Sequence, residues 1–235
     1  MKNLISLIVL VFAVHSLHAQ TETVKGHELL INNFKLEVNE YQRMENRFKN
    51  LEGDPYYTDN FQKGKIHIQG NKSFTDVELN YNMYSDEFEF VSKGGKIFVL
   101  SNLDEVEKVV YNNKTFKHDY YSFGVGKPQK GYLMVLVEGN CSLYKKLESE
   151  FKDAEEPETG YDQYKPPRFV DKSPKYFIEC KGEDVAQIIS SLRRKKFLQE
   201  HFKEDRKKLL KWMRENNINL HDEEEMVQFF RHINQ

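Results

Sequence analysis

The run Asp76-Val-Glu-Leu-Asn-Tyr-Asn-Met-Tyr-Ser-Asp-Glu-Phe-Glu-Phe90 limits the possible folds more than any other stretch of this chain. Read by twos, Val77, Leu79, Tyr81 and Met83 fall on one face, and Asp76, Glu78, Asn80 and Asn82 on the other. That is the period of a half-buried strand. Beyond Ser85-Asp86 the alternation resumes, with Phe88 and Phe90 against Glu87 and Glu89. Two such runs across a short polar break predict a β-hairpin. Its apolar face should build core, and its carboxylates should meet water.

Similar signals surround it. Lys65–Ile68 alternates, Gly70-Asn-Lys72 turns, and Gly94-Gly95 separates Phe88–Val91 from Lys96–Leu100. Val106–Tyr111 and Thr115–Tyr121 flank Asn112-Asn113-Lys114. Tyr132–Glu138 is apolar on both faces, so it should be a central strand. Cys141–Phe151 fits either a strand or a helix. Arg168–Val185 reads as a further hairpin turning at Lys181-Gly182. Short strands with a turn signal about every ten residues predict a curved antiparallel sheet or a small barrel.

After Ile188 the period becomes helical. Ser190 and Ser191 can cap Leu192–Phe202, Lys203–Asn216 carries the stripe Leu209, Leu210 and Met213, and Asp222 caps a third helix. That helix has Glu223–Glu225 in its first turn, where the macrodipole favours negative charge, and its apolar side is Met226, Phe229, Phe230 and Ile233. The expected class is α+β, with the sheet first and about three helices last.

Residues 1–19 read as a signal peptide: Lys2, an apolar run from Leu4 to Val14, and a cleavage point near Ala19. The run is too short for a transmembrane helix, and no later run is longer. The mature chain is expected to be periplasmic or secreted. Residues 20–52 form an N-terminal extension, helical by Val38, Tyr41, Met44, Phe48 and Leu51, or extended by Leu29–Ile31 and Phe34–Leu36. Residues 53–188 make a β-rich domain with an acidic, proline-bearing loop near 153–167, and 189–235 the helices packed on or beside it. The 13% aromatic content, with 17 Phe and 13 Tyr, is too high for a disordered chain. A net charge of −2 argues neither for a nucleic-acid binder nor for an acidic halophile, and export would separate the chain from most nucleic acid. In an oxidising compartment Cys141 and Cys180 could bridge; otherwise each is a small packed hydrophobe.

Gly53-Asp-Pro-Tyr-Tyr57, Phe61-Gln-Lys-Gly64, Tyr81–Phe90, Gly131–Gly139, Lys165-Pro-Pro-Arg-Phe-Val170 and the Lys-rich helix followed by Glu215–Leu220 carry a family likeness. Together they resemble a family of exported proteins common in Bacteroidetes-type bacteria, to which no activity is assigned. The resemblance runs from about Leu51 onward and implies export.

Few patterns here carry chemistry. There is no Gly-x-Ser-x-Gly elbow, and neither cysteine sits in a catalytic motif. Gly124-Val-Gly-Lys127 is too short for a phosphate loop, and Pro128 removes an amide such a loop would use. Asp86, Glu87 and Glu89 supply the paired carboxylates of a glycosidase, but also look like an ordinary charged strand face. His201, His221 and His232 lack the four-residue spacing of a helical zinc pair, and His221 with Glu225 matches many exposed pairs. Arg193–Lys196 and Arg206–Lys208 with Lys211 and Trp212 form a basic amphipathic segment suited to an anionic surface. The resulting expectation is a non-enzymatic binding or scaffolding protein of the bacterial cell envelope. Its partner would be an envelope protein, a glycan or an anionic membrane surface, with no nucleic acid, cofactor or metal. The alternative is a hydrolase of an envelope polymer acting through the surface carboxylates.

Overall fold

The computed structural model describes residues 22–24, 51–92, 94–101, 103–157 and 163–235. The signal peptide, the ambiguous segment 20–50 apart from Glu22–Val24, and Tyr161 of the acidic loop lie outside the described residues.

The first strands are β1 (Glu22–Val24), β2 (Gln62–Ile68), β3 (Lys72–Asn82), β4 (Glu87–Val91), β5 (Ile97–Val99), β6 (Val106–Tyr111) and β7 (Lys114–Ser122). Then come β8 (Gln129–Val137), β9 (Cys141–Lys146), β10 (Ser149–Lys152), β11 (Arg168–Asp171), β12 (Lys175–Cys180) and β13 (Ala186–Ile188). Three helices follow: α1 (Arg194–His201), α2 (Arg206–Glu215) and α3 (Glu223–Ile233).

The expected hairpin forms. β3 and β4 pair antiparallel with Leu79 opposite Phe90 and Asn82 opposite Glu87. Facing β2, the ladder steps from Gly64–Val77 to Ile66–Phe74, so Thr75 and Asp76 share the place of one residue, Asp76 at φ +58°. This bulge lets Phe74 and Val77, three apart, both point inward.

β7 divides its two edges among three neighbours. β8 takes one edge, β6 the first part of the other, and β13 the last part, running parallel with Ala186 opposite Tyr121. The circuit β7-β8-β9-β12-β13 is therefore a closed five-stranded barrel, the small barrel among the expected alternatives. From β6 the sheet continues through β2, β3, β4 and β5, while β10 and β11 form a separate ribbon. The stretch from Cys141 to Phe151 is thus two strands in different sheets. Arg168–Val185 is likewise not one hairpin, since β11 pairs with β10 and only β12 turns back onto β13.

Strand parity sorts the core into three parts. Tyr132 and Met134 of β8 face the curl of β6, β2, β3 and β4, against Phe88 and Tyr81. Leu133 and Val135 face the barrel interior with Tyr121, Tyr144 and Phe177. β8 is apolar on both sides because it walls two interiors. On the barrel's outside, Leu143 and Ile178 receive Phe197 and Leu198 of α1, Leu209 and Met213 of α2, and Met226, Phe229 and Phe230 of α3. Asp222 caps α3 as expected, its carboxylate accepting from the Glu225 amide at 3.0 Å. α1 starts two residues later than expected. Ser190 instead donates to Glu200, and no side chain caps the helix. Cys141 and Cys180 face each other across β9 and β12, Cα atoms 4.0 Å apart, and are disulfide-bonded.

Candidate functional site

Asn82 and Glu87 close a four-residue loop at the β3–β4 tip. The Asn82 side-chain oxygen accepts from the amides of Tyr84 and Ser85, each at 3.1 Å, a local bond that asparagine makes readily in turns. Asp86 sits at φ +60°, a conformation Asp tolerates better than most residues. The loop thus aims the Asp86 carboxylate away from the outer face and onto the barrel.

There it meets a complete set of partners. The Tyr81 hydroxyl donates to Oδ1 at 2.6 Å, and the Lys146 ammonium lies 2.5 Å from the same oxygen. The Tyr132 amide donates at 3.3 Å to both oxygens, and Lys146 also donates to the Tyr132 carbonyl at 3.0 Å. Lys146 stands 5.5 Å from the centre of the Tyr121 ring. Gly131 leaves the space the carboxylate needs: a Cβ there would lie 2.1 Å from Asp86 Oδ2. The Lys146 side chain is 3% exposed and that of Asp86 28%, so the pair is open on the acid side alone. Burial pulls the lysine pKa down, against the opposing pull of Asp86. Burial, then the Asp86 charge, holds the Tyr81 phenol well above its ordinary range, so it remains a donor. Removing one partner of such a buried pair typically costs about 3–5 kcal/mol.

The other two carboxylates of the hairpin do not join this cluster. Glu89 is 1% exposed, its oxygens accepting from the Tyr56 hydroxyl at 2.9 Å and the Asn82 amide at 3.1 Å. Glu87 is partly exposed on the strand. The expectation that the hairpin's carboxylates meet water is therefore overturned for Glu89, which is buried, and holds only in part for Asp86, which is 28% exposed but ion-paired. For Glu89 the physical reason is the segment Asp54–Thr58, which runs along β3 through Tyr57 N to Tyr81 O (2.9 Å) and Met83 N to Pro55 O (2.7 Å) and covers the outer face. For Asp86 it is the loop, which turns the carboxylate onto Lys146 and the Tyr132 amide. Asp86 and Glu89 are tied into separate networks, so the surface carboxylates of the hydrolase reading are not brought together.

No sequence motif marks Lys146, Gly131 and Tyr132 as members of a site. Parity was the available signal: Ser142, Tyr144 and Lys146 share the inward face of β9, and a lysine there needs a counter-charge. Gly124–Lys127 forms the exposed loop between β7 and β8, with Val125 91% exposed. His201 packs on Phe197, His232 stacks on Trp212 with ring centres 3.9 Å apart, and His221 is exposed. Among the described residues, no three His, Cys, Asp or Glu side chains converge as a metal site would require.

The basic segment remains. Residues 193–215 hold ten Lys and Arg against four Asp and Glu. Lys195, Lys196, Lys203, Arg206, Lys207, Lys208, Lys211 and Arg214 are exposed. Lys207, Lys211 and Arg214, at steps of four and three, stand in one row along α2. The opposite side of both helices is buried, through Phe197, Leu198, Leu209 and Met213. Only long contacts answer the charge within the helices, Lys196–Glu200 and Lys211–Glu215, each at 3.7 Å. Among the described residues no helix is long and apolar enough to cross a membrane. No family model, no curated protein and no solved structure matches this chain.

Proposed function

We propose that this is an exported, non-enzymatic binding protein of the bacterial cell envelope, which docks on an anionic partner through the exposed face of α1 and α2. The observation carrying this reading is the helical segment itself: cations crowd its outer side while most of its apolar side is buried in the cluster it shares with α3 and the barrel wall. A helix whose apolar stripe is already buried has nothing to insert into acyl chains. Contact is then electrostatic, worth about 1 kcal/mol for each cation near an anionic surface, and is screened by salt. Two further features agree with export. The leading segment has the form of a signal peptide, and the Cys141–Cys180 disulfide suits an oxidising compartment. The hydrolase alternative loses its motivation, because two of its three carboxylates have structural partners.

Vesicle co-sedimentation tests the reading. The protein should bind vesicles containing phosphatidylglycerol, bind neutral phosphatidylcholine vesicles little or not at all, and lose most binding between about 50 and 500 mM salt. Lys207→Glu with Lys211→Glu and Arg214→Glu should abolish binding without changing the thermal midpoint. If neither anionic vesicles nor a soluble anionic envelope polymer is retained at low salt, the reading falls.

A further inference from the structure

The surroundings of Asp86 are organised as a receptor for one carboxylate. An ammonium, a phenol and a main-chain amide converge on it from three elements: Lys146 on β9, Tyr81 on β3 and Tyr132 on β8. Gly131 supplies the clearance. We propose that this is a carboxylate-binding site filled in cis by Asp86, and that it will accept a small free carboxylate once the Asp86 side chain is removed.

The site lies where the far end of the curled sheet returns to β8 and β9. The two faces meet there without a strand ladder, through ring contacts such as Phe88 on Tyr132 (4.9 Å) and through a hydrogen bond from the Ser149 amide to the Met83 carbonyl at 3.2 Å. Asp86 is the only ionic link across this seam among the described residues. The nearest other acid on the β9 side, Glu148, is already ion-paired with Lys175, so Lys146 has no ready substitute. Three donors fixed on separate strands stay in place when the acceptor is removed, because each is packed by its own strand: Tyr81, Tyr132 and Lys146 are all nearly inaccessible. A preorganised set of donors is what allows a small anion to bind at all.

The test is chemical rescue. Asp86→Gly suits the positive φ and removes the carboxylate. It should lower the thermal midpoint by on the order of 10 °C. About 100 mM formate should return roughly 3–5 °C of this, as a tenfold excess over the dissociation constant would. Chloride at equal ionic strength should return none. Asp86→Asn, which still fills the site, should show no formate effect. If Asp86→Gly does not fold, Asp86→Ser takes its place, its hydroxyl stopping short of Lys146. Equal response to formate and chloride, or an unchanged midpoint on losing the carboxylate, overturns the proposal.

Discussion

Gly131 shows how much one residue can depend on another far away in the chain. Its missing side chain is the space that Asp86 occupies, with Lys146 Nζ only 3.1 Å from where a Cβ would be. Gly131→Ala should therefore destabilise by about 1–3 kcal/mol, read as a lowered urea midpoint. That loss should vanish in an Asp86→Gly background, since the colliding group is gone. The histidines give a second residue-scale expectation. Burial lowers the pKa of His67, His118 and His201 below the usual 6.5, and the neighbouring lysines add to this at His67 and His118. Asp86 and Asp104 pull His118 the other way without reversing the direction. A folded state with a depressed histidine pKa takes up protons less readily than the unfolded chain. Stability should hold above about pH 6.5 and fall as the pH drops below it towards 5. Urea midpoints at pH 7.5 and 5.5 check the sign, and His118→Phe should flatten part of the slope. At this scale the sequence showed which residues of the hairpin alternate. It did not show that Tyr56 would cover Glu89, because that contact joins residues 33 apart and no period encodes it.

Elements were readable where a turn or cap is local. Asn112 and Asn113 both adopt positive φ, at 48° and 56°, as a two-residue hairpin between β6 and β7 demands. Asp222 capped its helix for an equally local reason. The β10–β11 ribbon was not readable, since Ser149 finds Asp171 across an intervening loop. Nor was the docking of α3. Asn234, just beyond its end, accepts from the Cys141 amide and donates to the Cys141 carbonyl, each at 2.9 Å, as a neighbouring strand residue would. Gly139 makes room, with its Cβ position 2.4 Å from Asn234 Cγ. Asn234→Ala should cost about 1–2 kcal/mol. Hydrogen exchange should show this as faster opening of α3 and of the Cys141 amide, with β2 and β3 unaffected.

Across the whole molecule, the disulfide staples two adjacent barrel staves whose cysteines are 39 residues apart. On a loop-entropy estimate it contributes about 4 kcal/mol, so a reductant should lower the thermal midpoint by about 10 °C. An unchanged midpoint after confirmed reduction would show that the hydrogen-bonded ladder suffices alone. The sheet-then-helix order was visible in the change of period after Ile188. A small barrel was one of two alternatives the turn spacing allowed, but the means of closure was not readable, because it rests on β13, three residues long and parallel to β7, and neither length nor direction leaves a pattern in the sequence. That late stave also sets a timetable. A chain emerging from the amino end, whether from a ribosome or a secretion channel, delivers β7, β8, β9 and β12 before it delivers Ala186. The ring cannot close, and the helices have no finished wall to settle on, until almost four-fifths of the polypeptide has passed through. The antiparallel strands from β2 to β9 can pair as they emerge, whereas the closing stave and the helices come last.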